Sequence, residues 1–227
     1  MRQVLWSLGW GLLALGAAQA AEVEVLVLDR DGRPLPEAVV LLHTSAPGPR
    51  PTPPAELVIS QEKMKFQPAM AVAHLSTKVR FSNLDRWDHH VRGGLVGPGG
   101  VYVEPAKGYS FRIAGRKAGQ TPASAVQSYA QTGPQMLGCH LHGSMRGHLY
   151  LTDSPWAAVT DADGRIRLSG VPNGAARLQI WHADELIETP AASAQVQDGM
   201  APVRVGTQIV PRKPKPAAAQ ELKMPGY

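Results

Sequence analysis

Val23, Val25 and Val27 alternate with Glu22, Glu24 and Leu26, a period of two that predicts a half-buried strand. Asp29-Arg30-Asp31-Gly32-Arg33-Pro34 then reads as a tight turn. Residues 38–42 form a short continuous apolar run, which predicts a second and more deeply buried strand. The pattern returns far downstream. Residues 157–160 are followed by the turn Asp161-Ala162-Asp163-Gly164, then by Arg165-Ile166-Arg167-Leu168, then by Pro172-Asn173-Gly174 and a strand over residues 176–181. No long helical period appears. Residues 114–130, rich in Gly, Ser and Ala, read as a loop or one short helix. Short strands separated by turn signals predict an all-β, Greek-key architecture.

Proline divides the chain. Five prolines fall between Pro47 and Pro54, and four more lie in the last 17 residues. Neither stretch suits a long helix or a central strand. Residues 46–56 are therefore expected to be a linker, and 211–227 a disordered tail. At the other end, Arg2 precedes an apolar run over residues 4–18, broken only by Ser7, and Ala18-Gln19-Ala20 fits the small-x-small rule for cleavage. Residues 1–20 are thus read as an export signal, since the run is short for a bilayer span. The mature chain is expected to start near Ala21 and to be a soluble periplasmic protein with no stable membrane insertion.

A hydrophobic content of 44% excludes a disordered protein, and a charged content of 18% excludes a coiled coil. The formal charge of +5 invites a nucleic-acid reading, but Lys and Arg are scattered. Their one concentration is the proline-rich end, with Arg204, Arg212, Lys213, Lys215 and Lys223 against Glu221. That is a solvated tail rather than a nucleic-acid face.

Cys139 is the single cysteine, so no intramolecular disulfide forms. An unpaired thiol outside the cytoplasm is a liability unless buried or bound. It lies in Gly138-Cys139-His140-Leu141-His142-Gly143-Ser144-Met145, where Cys-x2-His-x2-Met puts a thiolate, an imidazole and a thioether within seven residues. These are ligands that copper favours. One more imidazole is needed, and Asp88-His89-His90-Val91 lies far upstream. Only a sandwich that unites distant strands would bring it close. Two histidines, a cysteine and a weak axial methionine make the blue-copper electron-transfer pattern. Successive residues of a strand face opposite sides, so only one of His89 and His90 can reach such a site. Zinc is the main rival metal, but its usual sites lack methionine. His140 should point away from Cys139. His148 either extends the site or faces solvent. His43 and His74 read as structural or exposed, and Met64 and Met136 as packing residues.

These residues resemble the cupredoxins, and most closely the plastocyanin-like periplasmic proteins often labelled methylamine utilization proteins. In those, a segment similar to Gln61-Glu62-Lys63-Met64-Lys65-Phe66-Gln67-Pro68 opens the module. A segment similar to Val79-Arg80-Phe81-Ser82-Asn83-Leu84-Asp85 leads to a His-Asn-Val, here His89-His90-Val91. The Cys-x2-His-x2-Met follows, and then a Thr-Asp-x-x-Gly and a Trp-His, here Thr160 to Gly164 and Trp181-His182. The resemblance covers most of residues 22–183. It implies that His89, Cys139, His142 and Met145 bind one mononuclear copper ion, with Met145 axial. The chain departs from the pattern at His90, where asparagine is usual, and at Ser82, where proline is common.

The flanking strands resemble the halves of a carboxypeptidase-regulatory-like, transthyretin-like β-sandwich, made of residues 21–45 and 154–210. The cupredoxin domain, 57–153, would be inserted in it or packed on it. A cupredoxin decorated with extra strands is the alternative. The resemblance implies a type 1 copper protein, not an enzyme, that carries single electrons between redox partners such as a cytochrome or a periplasmic dehydrogenase. A copper-delivery protein and a non-redox β-sandwich interaction module are the alternatives. Nothing else in the chain looks catalytic: it has no nucleophile elbow, phosphate loop or paired carboxylates.

Overall fold

The computed structural model describes residues 20–103 and 108–212. The expected export signal and tail lie outside these residues, apart from Ala20, Pro211 and Arg212. Among the described residues the regular structure is all strand, save one 3-10 turn at Pro98–Gly100. In chain order the strands are β1 (Ala20–Leu28), β2 (Val39–Thr44), β3 (Glu56–Glu62), β4 (Lys65–Gln67), β5 (Met70–His74), β6 (Lys78–Asn83), β7 (His89–Leu95) and β8 (Tyr109–Ile113). They continue with β9 (Ser124–Gln127), β10 (Gly133–Cys139), β11 (Arg146–Thr152), β12 (Trp156–Val159), β13 (Arg165–Pro172), β14 (Gly174–Trp181), β15 (Ala192–Val196) and β16 (Val203–Gly206). Residues 114–130 hold no helix: β9 pairs with β6 as an edge strand. Four residues are too few for a period of two to declare itself in the sequence.

The strands form four sheets, ordered β13-β1-β16, β12-β2-β14-β15, β5-β11-β10-β7-β8 and β4-β3-β6-β9. Pairing is segregated along the chain. Strands β3 to β11 pair only with one another, and β1 and β2 pair only with β12 to β16.

Three apolar clusters stack these sheets face to face. Val23, Val25 and Val27 of β1 meet Val40, Leu42, Trp156 and Leu178 between the first two sheets. Val39, Leu41 and Trp181 meet Met70 and Tyr150 between the second and third. Leu137, Cys139, Leu149 and Leu151 meet Ile59, Phe66, Val79 and Phe81 between the third and fourth. β2 is thus buried on both faces, which explains why residues 38–42 read as a continuous apolar run rather than an alternating one. β11 resolves the same requirement differently. Leu149 and Leu151 face one cluster, while Tyr150 faces the other. Antiparallel pairing of β7 with β10 places Cys139 opposite Val91, and the amide of His140 donates to the His90 carbonyl at 3.0 Å.

Candidate metal centre

Strand alternation sorts the two neighbouring histidines. Cys139 and its register partner Val91 both face the cluster between the third and fourth sheets. His89, two residues before Val91, takes the same face and is fully buried. His90 takes the opposite face, where its ring lies 4.8 Å from that of His140. Beyond Cys139 the chain leaves the sheet and turns back, and the Met145 amide closes the turn on the His142 carbonyl at 2.9 Å. This turn returns the half-buried His142 ring over the thiol.

Three ligand atoms converge there. His89 Nδ1 lies 3.7 Å from Cys139 Sγ, His142 Nδ1 lies 3.5 Å from it, and the two Nδ1 atoms are 3.2 Å apart. Atoms at these separations lie on a circle of radius about 2.0 Å, close to ordinary metal–nitrogen and slightly short of metal–sulfur distances. One ion can therefore meet all three at once. The fourth expected residue, Met145, is buried in the same apolar cluster as Cys139.

The protonation of His89 follows from its outer partner. Its Nε2 lies 3.0 Å from Asp85 Oδ2, and a carboxylate can only accept. Nε2 therefore donates to the carboxylate, which leaves Nδ1 as the nitrogen turned to the cluster. Asp85 is itself held. It accepts the Lys63 amide at 2.7 Å and the Met64 amide at 3.0 Å, capping a turn in which Lys63 and Met64 both have positive φ. Burial pushes the Asp85 carboxyl up, but the Met64 amide, the His89 ring and the Lys63 amide outweigh it and hold the group below the usual aspartate range. Buried Asn83 completes the brace. Its Oδ1 accepts the Asp85 amide at 2.9 Å, and its Nδ2 donates to the carbonyls of Trp87 and Ala114. On the sulfur side, the His90 amide donates to Cys139 Sγ at 3.4 Å.

Asp85 and Asn83 brace the candidate site, and sequence reasoning left them without a role. The available signal is weak: an acid four residues before a histidine, in a stretch with no helical period. Asp85→Asn keeps the shape but removes the charge that fixes the imidazole. Affinity of the cluster for a metal ion is expected to fall about 10–100-fold, measured by competition with a chelator.

Other expectations need correction. His148 does not extend the three-atom cluster and is only partly exposed. Its ring packs 5.9 Å from that of Trp181, and burial pushes its pKa down. Met64 is not a packing residue but an exposed one in the turn that Asp85 caps. His74 is structural, bridging the Ser76 hydroxyl and the Asp153 carbonyl. His182, for which the sequence suggests no mechanism, is buried and accepts the Asp184 amide through Nδ1 at 3.0 Å.

No family model matches this chain, and no curated protein matches it. Among solved structures it is similar to amicyanins. Amicyanin from Paracoccus versutus is 18% identical, with 44% of this chain and 85% of that one covered and a TM-score of 0.32. An oxidized proline-to-alanine mutant of amicyanin is 18% identical, covering 43% of this chain and 83% of that one, with a TM-score of 0.33. The Cu(I) form of a methionine-to-alanine mutant is 15% identical, covering 50% and 98%, also with a TM-score of 0.33.

Proposed function

We propose that this chain is a type 1 copper protein that carries single electrons between redox proteins outside the cytoplasm. The convergence of His89 Nδ1, Cys139 Sγ and His142 Nδ1 carries the reading. It brings together two imidazole nitrogens and a cysteine sulfur, the donor set that suits copper in both its oxidation states. Met145 is proposed as the axial ligand. Copper would supply the one-electron couple, and the chain's own part is to hold the ligands still. The Asp85 bond fixes the His89 ring, the His90 amide restrains the sulfur, and the closed turn fixes His142. A site braced this way changes little between oxidation states, which favours fast transfer. Half-buried His142 is the proposed exit for the electron, and a cytochrome or a dehydrogenase is the proposed partner class.

The segregated pairing supports a domain reading. Residues 57–153 are proposed to form a cupredoxin sandwich inserted in an outer β-sandwich made of residues 21–45 and 154–210.

The test is an optical titration of metal-free protein with one equivalent of Cu(II). An intense band at about 600 nm that bleaches with ascorbate and returns with ferricyanide is expected. Colourless copper binding would favour delivery over electron transfer, and no uptake would overturn the reading. Met145→Leu should keep the colour and raise the reduction potential, because it removes a weak donor that favours Cu(II). Voltammetry showing an unmoved potential would remove Met145 from the ligand set.

A further inference from the structure

We propose that the cleft beside Asp184, on the face of the five-stranded sheet turned away from Cys139, binds a small multivalent oxyanion held between Arg92 and Arg146. The cleft's lining reaches Cys139, Gly143 and Met145, so it backs onto the three-atom cluster, and the anion site proposed at its arginine side goes beyond the copper reading.

The cleft follows from register. Gly138 of the central strand β10 is opposite Arg92 on β7 and opposite Arg146 on β11. The two arginines therefore flank a glycine, with about 10 Å between their Cα atoms from two strand spacings. A Cβ built on Gly138 would lie 3.2 Å from Arg92 Nε, so the glycine's open side is the side the arginine occupies. The Arg92 side chain thus lies over Gly138, on the side of the sheet where the cleft is also lined by Arg146.

Charge separates these arginines from their neighbours. Arg112, on the next strand, is neutralised by Asp88, and Arg212, on the far wall of the cleft, is neutralised by Asp184 at 3.1 Å. Among the described residues Arg92 and Arg146 have no carboxylate partner. Two unpaired cations facing one cleft repel, and an anion between them relieves that repulsion. The cleft holds about 220 Å³, and Met136 lies on its wall. That volume is enough for a phosphate or a compact polycarboxylate. Guanidinium forks match such oxygens two at a time. His148, also on the cleft wall, is pushed towards its neutral form by burial first and then by His182; Asp184 opposes this, and Arg212 and Arg146 add smaller pushes in the same direction as burial.

The position gives the ligand a consequence that rests on the copper reading. Gly138 is followed by Cys139, whose side chain faces the opposite side of the sheet. A bound anion would sit one sheet thickness from the thiolate, favour the more highly charged oxidised ion and lower the potential.

The experiment is isothermal titration of the full chain, without metal, with inorganic phosphate and separately with citrate at matched ionic strength. Saturable one-to-one binding of at least one anion is expected, and the tighter of the two identifies phosphate-type or polycarboxylate chemistry. Affinity should fall at least about tenfold in Arg92→Gln and in Arg146→Gln, and should be unchanged in Arg112→Gln. All three positions are exposed on strands, and far-UV circular dichroism checks that each variant folds. No saturable binding of either anion, or affinity unchanged from the unsubstituted chain in the Arg92→Gln and Arg146→Gln variants, overturns the site. Because this titration uses no copper, it stands or falls apart from the metal reading. In copper-loaded protein, an unmoved potential despite saturation overturns the coupling alone.

Discussion

Cys139→Ser is expected to abolish the visible absorption of the copper-loaded protein completely. The colour of such a centre is charge transfer from thiolate to copper, and a hydroxyl at the same place neither ionises nor donates in that way. The fold should survive. The side chain shrinks slightly at a site that keeps two polar neighbours, the His90 amide at 3.4 Å and His142 Nδ1 at 3.5 Å. Burying a hydroxyl in the adjoining apolar cluster should cost about 1–2 kcal/mol. Far-UV circular dichroism and a thermal melt check the fold, and the spectrum checks the site. Colour retained in the serine variant would remove Cys139 from the ligand set.

The second large effect is a contrast between neighbours. His89→Ala should abolish the band, whereas His90→Ala should keep it. His89 supplies Nδ1 to the cluster and Nε2–H to Asp85, so alanine there removes a ligand and leaves a buried carboxylate short of one donor. A stability loss of about 1–3 kcal/mol should accompany the loss of colour. His90 contributes to the sulfur only through its backbone amide, which alanine retains. Its ring faces the other side of the sheet beside His140. Spectra of the two variants, loaded with equal copper, decide the matter. Loss of colour in the His90 variant alone would reverse the assignment.

Much of this arrangement is legible in the sequence, and the reasons are local. Val23, Val25 and Val27 announce β1 because their face alone meets a core, and the run at residues 38–42 announces a strand buried on both faces. The Cys-x2-His-x2-Met spacing is legible because one turn makes it. What the chain does not display is what depends on distant pairing. The Asp85 bond to His89 exists because a turn at Lys63 and Met64 is packed against it from another strand. No spacing rule encodes that. The cluster joining Val39, Leu41 and Trp181 to Met70 and Tyr150 is hidden for the same reason: each residue reads as ordinary core, and only the stacking of sheets reveals which core. β9 is too short to show a period. Arg92 and Arg146 look like scattered surface charge until register sets them on either side of Gly138.

The segregated pairing also orders events as the chain folds. Every strand from β3 to β11 finds all its hydrogen-bonded partners within residues 56–152, so the ligand-bearing sheets can close as soon as that stretch is free. β1 has no such freedom. Its neighbours are β13 and β16, and Leu28 waits for Gly206. Contacts that remote in sequence close slowly. Until the last strand arrives, the valines of β1 are an uncovered edge, prone to pair with another copy of the chain. The order of closure thus makes the first strand to be synthesised one of the last to be protected.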